Sequence, residues 1–315
     1  MSLNRQAAAH IERLLDDPAH FRAEVSSLSN GATVVDCGAK VRGGLAAGKL
    51  LAEACLAGLA NVELANGNIP ELTGPSVSIS TDAPVRACMA SQYAGWSIAG
   101  NDYFAMGSGP MRAAYCQEEI FHHLGISRDE SGKAVGILET AQLPNTEIAD
   151  DIAKKCGVNA TDLILLVART ASIAGSIQVV ARSVETALHK MHELKFDLHR
   201  VVSGYGIAPL PPVAKNDLAG IGRTNDAVLY GGQVTLWITG DDESLVEIGA
   251  QTPSSSSNDF GRPFLEVFAS YDYDFYKIDP LLFSPAQITL VNIDTGNTHR
   301  FGSVRPDILQ QSFYS

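Results

Sequence analysis

Arg182 and Glu185 stand three residues apart in the segment 176–194, where Ile177, Val180, Val184, Leu188 and Met191 recur at the spacing of one apolar helix face. Gln178, Arg182, Glu185 and His189 share the opposite side. A carboxylate beside a guanidinium can act as a general base if a second layer of structure covers that polar face, because the cation holds the carboxylate and burial tunes both. The same spacing is also that of an ordinary surface ion pair on a solvated stripe. Spacing leaves both readings open.

Phe104-Ala105-Met106-Gly107-Ser108-Gly109-Pro110-Met111-Arg112 is a glycine-rich turn ahead of an expected helix, with Pro110 suited to the first helical position. Such a turn can cradle an anion. A dinucleotide fingerprint would need a small residue where Arg112 stands and an acidic residue about 20 positions on, after a second strand. Neither requirement is met convincingly, which leaves a tight turn or a backbone that lines a substrate. Ser108 lacks the flanking pattern of a nucleophile elbow. The eight histidines include His122-His123 and the pair His189 and His192, without an accompanying metal-ligand pattern. His122 and His123 are expected to close a helix before Leu124-Gly125. The five cysteines are dispersed and never spaced C-x-x-C, so they read as small buried hydrophobes.

Two further tracts concentrate polar and aromatic groups. Ile221-Gly222-Arg223-Thr224-Asn225-Asp226 precedes an apolar run, and Tyr271-Asp272-Tyr273-Asp274-Phe275-Tyr276-Lys277-Ile278-Asp279 interleaves aromatics with acids. Each fits a ligand-lining loop, and equally a polar turn and an aromatic packing corner.

These groups need a scaffold. Helical spacing runs over residues 3–22, 46–59 and 148–156 as well as 176–194. Strand patterns run over 31–36, 77–81, 134–139, 162–167 and 233–238, with 288–293 expected as the last. Alternation of the two kinds predicts α/β or α+β layers. The 315 residues, 45% hydrophobic, suffice for one large or two medium cores. We expect two closely joined domains, residues 1–130 and 131–315, with segments that can be exchanged between them. Net charge is −12 and no basic cluster occurs, which excludes a general nucleic-acid surface. Mean hydropathy is +0.05, and no stretch approaches the roughly 18 apolar residues of a membrane span. The first residues lack a secretory pattern, so a cytoplasmic location is expected.

The motifs in their order resemble one family across nearly the whole chain. They are Asn30-Gly31 through Val35-Asp36-Cys37-Gly38, Ala94-Gly95-Trp96, Asp102-Tyr103-Phe104-Ala105 with Gly107-Ser108-Gly109-Pro110, and Gly175-Ser176-Ile177-Gln178 with Arg182 to Glu185. Gly206-Ile207-Ala208-Pro209, Gly222 through Leu229, Tyr273 through Asp279 and Phe283-Ser284-Pro285-Ala286 follow. The chain thus resembles the methenyltetrahydromethanopterin cyclohydrolases. The resemblance implies two α/β-type domains with mixed sheets and a cleft between them that holds the pterin, a homotrimer, and no metal or organic cofactor. It implies catalytic roles for Arg182 and Glu185, and substrate contacts at Tyr93, Ser108, Gly109, Pro110, Asn225, Asp226 and Phe283. Two positions depart from the pattern. Many archaeal members carry lysine where this chain has Tyr93, and commonly proline where it has Arg169. The implied activity is hydrolysis of a cyclic amidinium, with a pterin-binding or carrier protein as the second reading and a nucleotide-dependent oxidoreductase as the third.

Overall fold

A computed structural model describes residues 2–100 and 102–314. Twelve strands occur among them: β1 Glu24–Ser27, β2 Thr33–Gly38, β3 Asn61–Ala65, β4 Ser76–Thr81, β5 Trp96–Gly100, β6 Tyr103–Ser108, β7 Ala134–Glu139, β8 Leu163–Ala168, β9 Val201–Pro209, β10 Gln233–Ile238, β11 Gln287–Asn292 and β12 Thr298–Gly302. They form two mixed six-stranded sheets, one in each of two compact units. The fold is therefore α/β, one of the two arrangements that the alternation of patterns predicts.

The first unit comprises Met1–Asn61 and Arg86–Gln178, the second Val62–Val85 and Val179–Ser315. The compact units thus do not divide near residue 130. Strands β7 and β8 lie beyond that point, yet they pair in parallel with each other, and β8 pairs in parallel with β2. Residues 131–178 cannot leave the first unit without opening its sheet. Segment 62–85 belongs to the second unit because β4 pairs along its length with β9.

In the first unit the order is β1-β2-β8-β7-β6-β5. The centre is parallel and buried on both faces, which is why its strands read as continuous apolar runs. Val34, Leu138, Leu165 and Val167 pack on one side with Ile148, Ile152 and Cys156 of the helix Thr146–Cys156. Val35, Ile137, Leu166 and Ala168 pack on the other with Ala7 of Leu3–His10 and Leu51 of Leu45–Cys55. Neighbouring residues of one strand thus serve opposite cores, as the two-residue period of a strand requires. Asp36 then shapes the turn after β2. Its buried carboxylate accepts from the N–H groups of Gly38, Ala39, Lys40 and Val41 at 2.7–3.1 Å. Gly38 in turn offers its carbonyl to the N–H of Arg169 at 3.3 Å, a bond that proline at that position could not make.

In the second unit the order is β12-β11-β10-β9-β4-β3. Strand β12 lies beyond β11, so the pattern at 288–293 does not mark the last strand. The exposed, alternating Thr298–Gly302 carries too few apolar residues to stand out. The segment 176–194 is not one helix. It divides into Ile173–Val180 and Ser183–Glu193, with Arg182 at φ −88° as the N-cap of the latter. The tract Ile221 to Asp226, read as a ligand-lining loop or a polar turn, lies within the helix Asp217–Gly231. Asn216 caps it by accepting from the N–H of Ala219, and Gly222 lets it approach Leu265, whose Cβ a side chain there would meet at 3.0 Å.

Candidate functional site

The break at Ala181-Arg182 decides what the polar residues of this segment do. Arg182 closes the preceding turn by donating its N–H to the Val179 carbonyl at 3.1 Å, and its own carbonyl accepts from Thr186 at 2.9 Å. Glu185 consequently falls in the first turn of Ser183–Glu193, where unsatisfied N–H groups and the helix dipole favour negative charge. The solvated-stripe reading fails. Gln178, Arg182 and Glu185 are 2%, 7% and 4% exposed. Two ionisable side chains held away from water on one turn are costly to bury, and buried ionisable groups of this kind recur at functional sites.

That turn lies close against β9. The sequence Ser203-Gly204-Tyr205-Gly206 puts two glycines on one face of the strand, and a Cβ at Gly206 would sit 2.3 Å from the Ser183 hydroxyl. A Cβ at Gly204 would sit 2.9 Å from Val184. The glycines therefore allow the start of the helix to approach the sheet. Gly206→Ala is expected to overpack this contact at a cost of about 1–3 kcal/mol and to displace Glu185. Lower urea midpoint together with lower turnover would show it; an unchanged midpoint would not.

Farther along the helix, Lys190 is fully buried. Its Nζ donates to Ser256 Oγ at 2.9 Å and to the Leu281 carbonyl. Burial lowers its pKa to about 8 against the opposing charge of Asp279. Asp279 itself accepts from Ser257 Oγ at 2.6 Å and from the N–H of Leu281 at 3.0 Å. These bonds tie the helix of Glu185 to the loop that ends in Phe283. The Phe283 ring packs 5.7 Å from Phe264 and 6.3 Å from Phe275, which joins Phe268 at 4.4 Å. The aromatic tract 271–279 thus supplies a packing corner with Phe275 and Tyr273 at its exposed edge.

Asn225 and Asp226 take roles within their helix and its neighbour. Asn225 Nδ2 donates back to the Ile221 carbonyl at 2.8 Å. Asp226 is fully buried and accepts from the N–H of Phe264 at 2.7 Å, at the start of the helix Phe264–Ser270. Burial pushes its carboxyl up to about 7, against the lowering effect of Ser312 and the Phe264 N–H, with Glu266 adding to the rise. Asp226 and Phe283 are therefore brought together around Phe264.

The remaining candidates lie in the first unit. Ser108 ends β6 and its Oγ is 3.3 Å from Cys55 Sγ. Gly109, at φ +86°, donates its N–H to the Ser91 carbonyl at 2.8 Å, and a Cβ there would meet Ile137 Cδ1 at 2.5 Å. Pro110 precedes the helix Met111–Tyr115, and its carbonyl accepts from Asn4 Nδ2 at 2.9 Å. The glycine at 109 is thus explained by its positive φ and its close packing on β7. Tyr93 follows the π-helix Val85–Gln92, a form of helix frequent at functional sites.

Arg112 is the residue that sequence reasoning passed over. Seen only as the wrong residue for a nucleotide turn, it is fully buried and paired with Glu118 at 2.6 Å. No local pattern announces this, since Glu118 lies beyond the end of the helix. No disulfide joins the cysteines among the described residues, and burial raises the thiol of Cys156 to about 12, so it stays protonated. His122 and His123 close the helix Glu119–His123, with Gly125 at φ +62° behind them. Among the described residues no group of three His, Cys, Asp or Glu is placed to hold a metal, and no helix is long and apolar enough to cross a membrane.

A family model described as Cyclohydrolase (MCH) matches residues 2–313. A methenyltetrahydromethanopterin cyclohydrolase of Rhodopirellula baltica is 47% identical over 99% of this chain and 94% of its own length. Relatives of the same name from Xanthobacter autotrophicus and Methanosarcina barkeri are 45% and 42% identical, each over 99% of this chain and over 93% and 98% of their own lengths. With identity at this level along the whole length, the chain belongs to the cyclohydrolase (MCH) family, that of the methenyltetrahydromethanopterin cyclohydrolases.

Proposed function

We propose that this chain hydrolyses the cyclic amidinium of 5,10-methenyltetrahydromethanopterin to the 5-formyl derivative, reversibly, in one-carbon metabolism. The observation that carries the proposal is the buried Arg182 and Glu185 on one helical turn, in a chain matched to this family from end to end.

The substrate carbon bridges two nitrogens in a delocalised cation and is already electrophilic. Water needs only to be positioned and relieved of a proton. Glu185 takes that proton as the C–O bond forms, and Arg182 holds the carboxylate and can donate to the developing oxygen. The neutral tetrahedral adduct then collapses. Glu185 returns its proton to N10 as the C–N10 bond breaks, and the hydroxyl proton departs to give the formyl group. One cation and one water yield one neutral product and one proton. Tyr93, Ser108, Gly109, Pro110, Asn225, Asp226 and Phe283 are proposed to contact the pterin or to support those that do.

Catalytic amounts of protein should abolish the methenyl absorbance of an excess of substrate, with one proton released per turnover in a weakly buffered dye solution. A spectral change that saturates at one equivalent of protein would instead mark a pterin carrier. We further propose that the enzyme needs no metal or cofactor, because a cationic substrate requires no Lewis acid. Activity should survive exhaustive chelation; loss with EDTA and recovery with one added metal would refute this. A cytoplasmic homotrimer is proposed from the family resemblance. Light scattering should give about three times the chain mass of 33.4 kDa, and a monomer at micromolar concentration would count against it.

A further inference from the structure

The guanidinium of Arg112 is completely enclosed, and what encloses it is the machinery of the first unit's candidate contacts. Nε and one terminal nitrogen form a fork on Glu118, at 2.9 Å to Oε1 and 2.6 Å to Oε2. The other terminal nitrogen donates to the carbonyls of Met89 at 2.9 Å and Ser91 at 3.3 Å, in the last turns of the π-helix. Its carbon lies 4.9 Å from the centre of the Tyr93 ring and 5.3 Å from that of Phe121. The Ser91 carbonyl that Arg112 holds also accepts from Gly109. Gly95 lies flush on this assembly, since a Cβ there would be 2.1 Å from Glu118 Oε2 and 2.8 Å from the Tyr93 ring.

An isolated buried charge would be too costly to keep, but this one has a bidentate partner, two carbonyls and two ring faces. The arrangement does more than neutralise it. One rigid planar group touches the end of the π-helix, the Tyr93 side chain and, through Ser91, the Ser108-Gly109-Pro110 backbone. A lysine could carry the charge but could not fill this fork.

We propose that Arg112, held by Glu118, is a positioning residue that fixes the Tyr93 ring and the Ser108-Gly109-Pro110 backbone for binding the substrate. The proposal rests on the reading of Tyr93 and this backbone as substrate contacts. It assigns Arg112 no contact with the reacting atoms. Its loss should weaken binding and leave the chemical step at Glu185 nearly intact.

The experiment is steady-state kinetics on the full-length protein with the methenyl substrate, using Tyr93→Leu, Arg112→Lys, Glu118→Gln and the double variant of Tyr93→Leu with Arg112→Lys. Each single variant should raise KM roughly tenfold, the worth of one lost ring contact or fork, with kcat changed by less than about twofold. The double variant should bind little worse than Tyr93→Leu alone, because both changes remove the same positioned ring. Should Arg112→Lys not fold, Gly95→Ala takes its place. It leaves the ion pair in the sequence but presses on Glu118 and Tyr93, and the same rise in KM is expected. A raised KM in Tyr93→Leu with native KM in the folded Arg112 and Glu118 variants would overturn the positioning role. So would a fall in kcat at unchanged KM, the mark of a smaller folded fraction. A native KM in Tyr93→Leu, with the wild type active, would overturn the underlying reading of Tyr93 and the inference with it.

Discussion

Glu185→Gln should lower turnover by roughly 10²- to 10⁴-fold, the usual worth of a general base, while substrate affinity changes far less. Glutamine keeps the size and a hydrogen-bonding end, so the buried turn at Ser183–Glu193 should remain folded. It cannot accept the proton of the attacking water. Arg182→Ala should also lower turnover, since in the proposed mechanism the guanidinium holds the Glu185 carboxylate. If the two residues act as one unit, the double variant loses much less than the product of the single losses. The competing account is a structural ion pair. A buried pair broken on one side destabilises by about 3–5 kcal/mol and would lower the urea midpoint without a selective effect on kcat. Kinetics of the two single variants and the double variant, with folding followed by circular dichroism, separate the cases. Near-native turnover in folded Glu185→Gln would end the proposed mechanism.

Asp226→Asn should remove a pH-dependent weakness of the native protein. Burial raises the folded pKa of Asp226 from 3.8 to about 7. Below 3.8 the group is protonated folded or unfolded, and above 7 it is ionised in both. Between these limits the unfolded chain loses the proton while the folded chain keeps it, so the folded state binds more protons and stability falls as pH rises. From pH 5 to pH 8 this one group should cost about 2–3 kcal/mol. Asparagine retains an acceptor for the N–H of Phe264 and carries no charge at any pH. The difference in unfolding free energy between variant and wild type should therefore grow in the variant's favour from pH 5 to pH 8, measured by urea unfolding at fixed protein concentration. A difference constant across that range would mean that Asp226 ionises normally inside the fold. Activity in the same variant tests its proposed contact with substrate separately from its effect on stability.

The sequence was most legible where burial is two-sided or periodic. Val34-Val35 and Leu165-Leu166 read as strands because both faces of the first sheet are covered, and residues 148–156 read as a helix through their apolar spacing. It was least legible where a local pattern serves a distant partner. The glycines and polar residues of Asp217–Gly231 resemble a loop until Leu265 and Phe264 are seen to need the space and the carboxylate. The thin pattern of β12 is completed only by pairing with β11.

The same division holds for the candidate site. Residue types in order, spread from Asn30 to Ala286, were enough to establish family membership, and it was that resemblance, not their spacing, that implicated Arg182 and Glu185. Only the tertiary structure decided that this pair is buried instead of solvated, that a helix break sets Glu185 in a first turn, and that Arg112 and Lys190 hold their surroundings in place. The reason is physical. Periodicity reports which face of an element is apolar, but the environment of a charge depends on backbone carbonyls, rings and carboxylates brought to it by other parts of the chain. Arg112 meets Met89, Tyr93 and Glu118, and Lys190 meets Ser256 and Leu281, only after the strands have paired and the helices have packed.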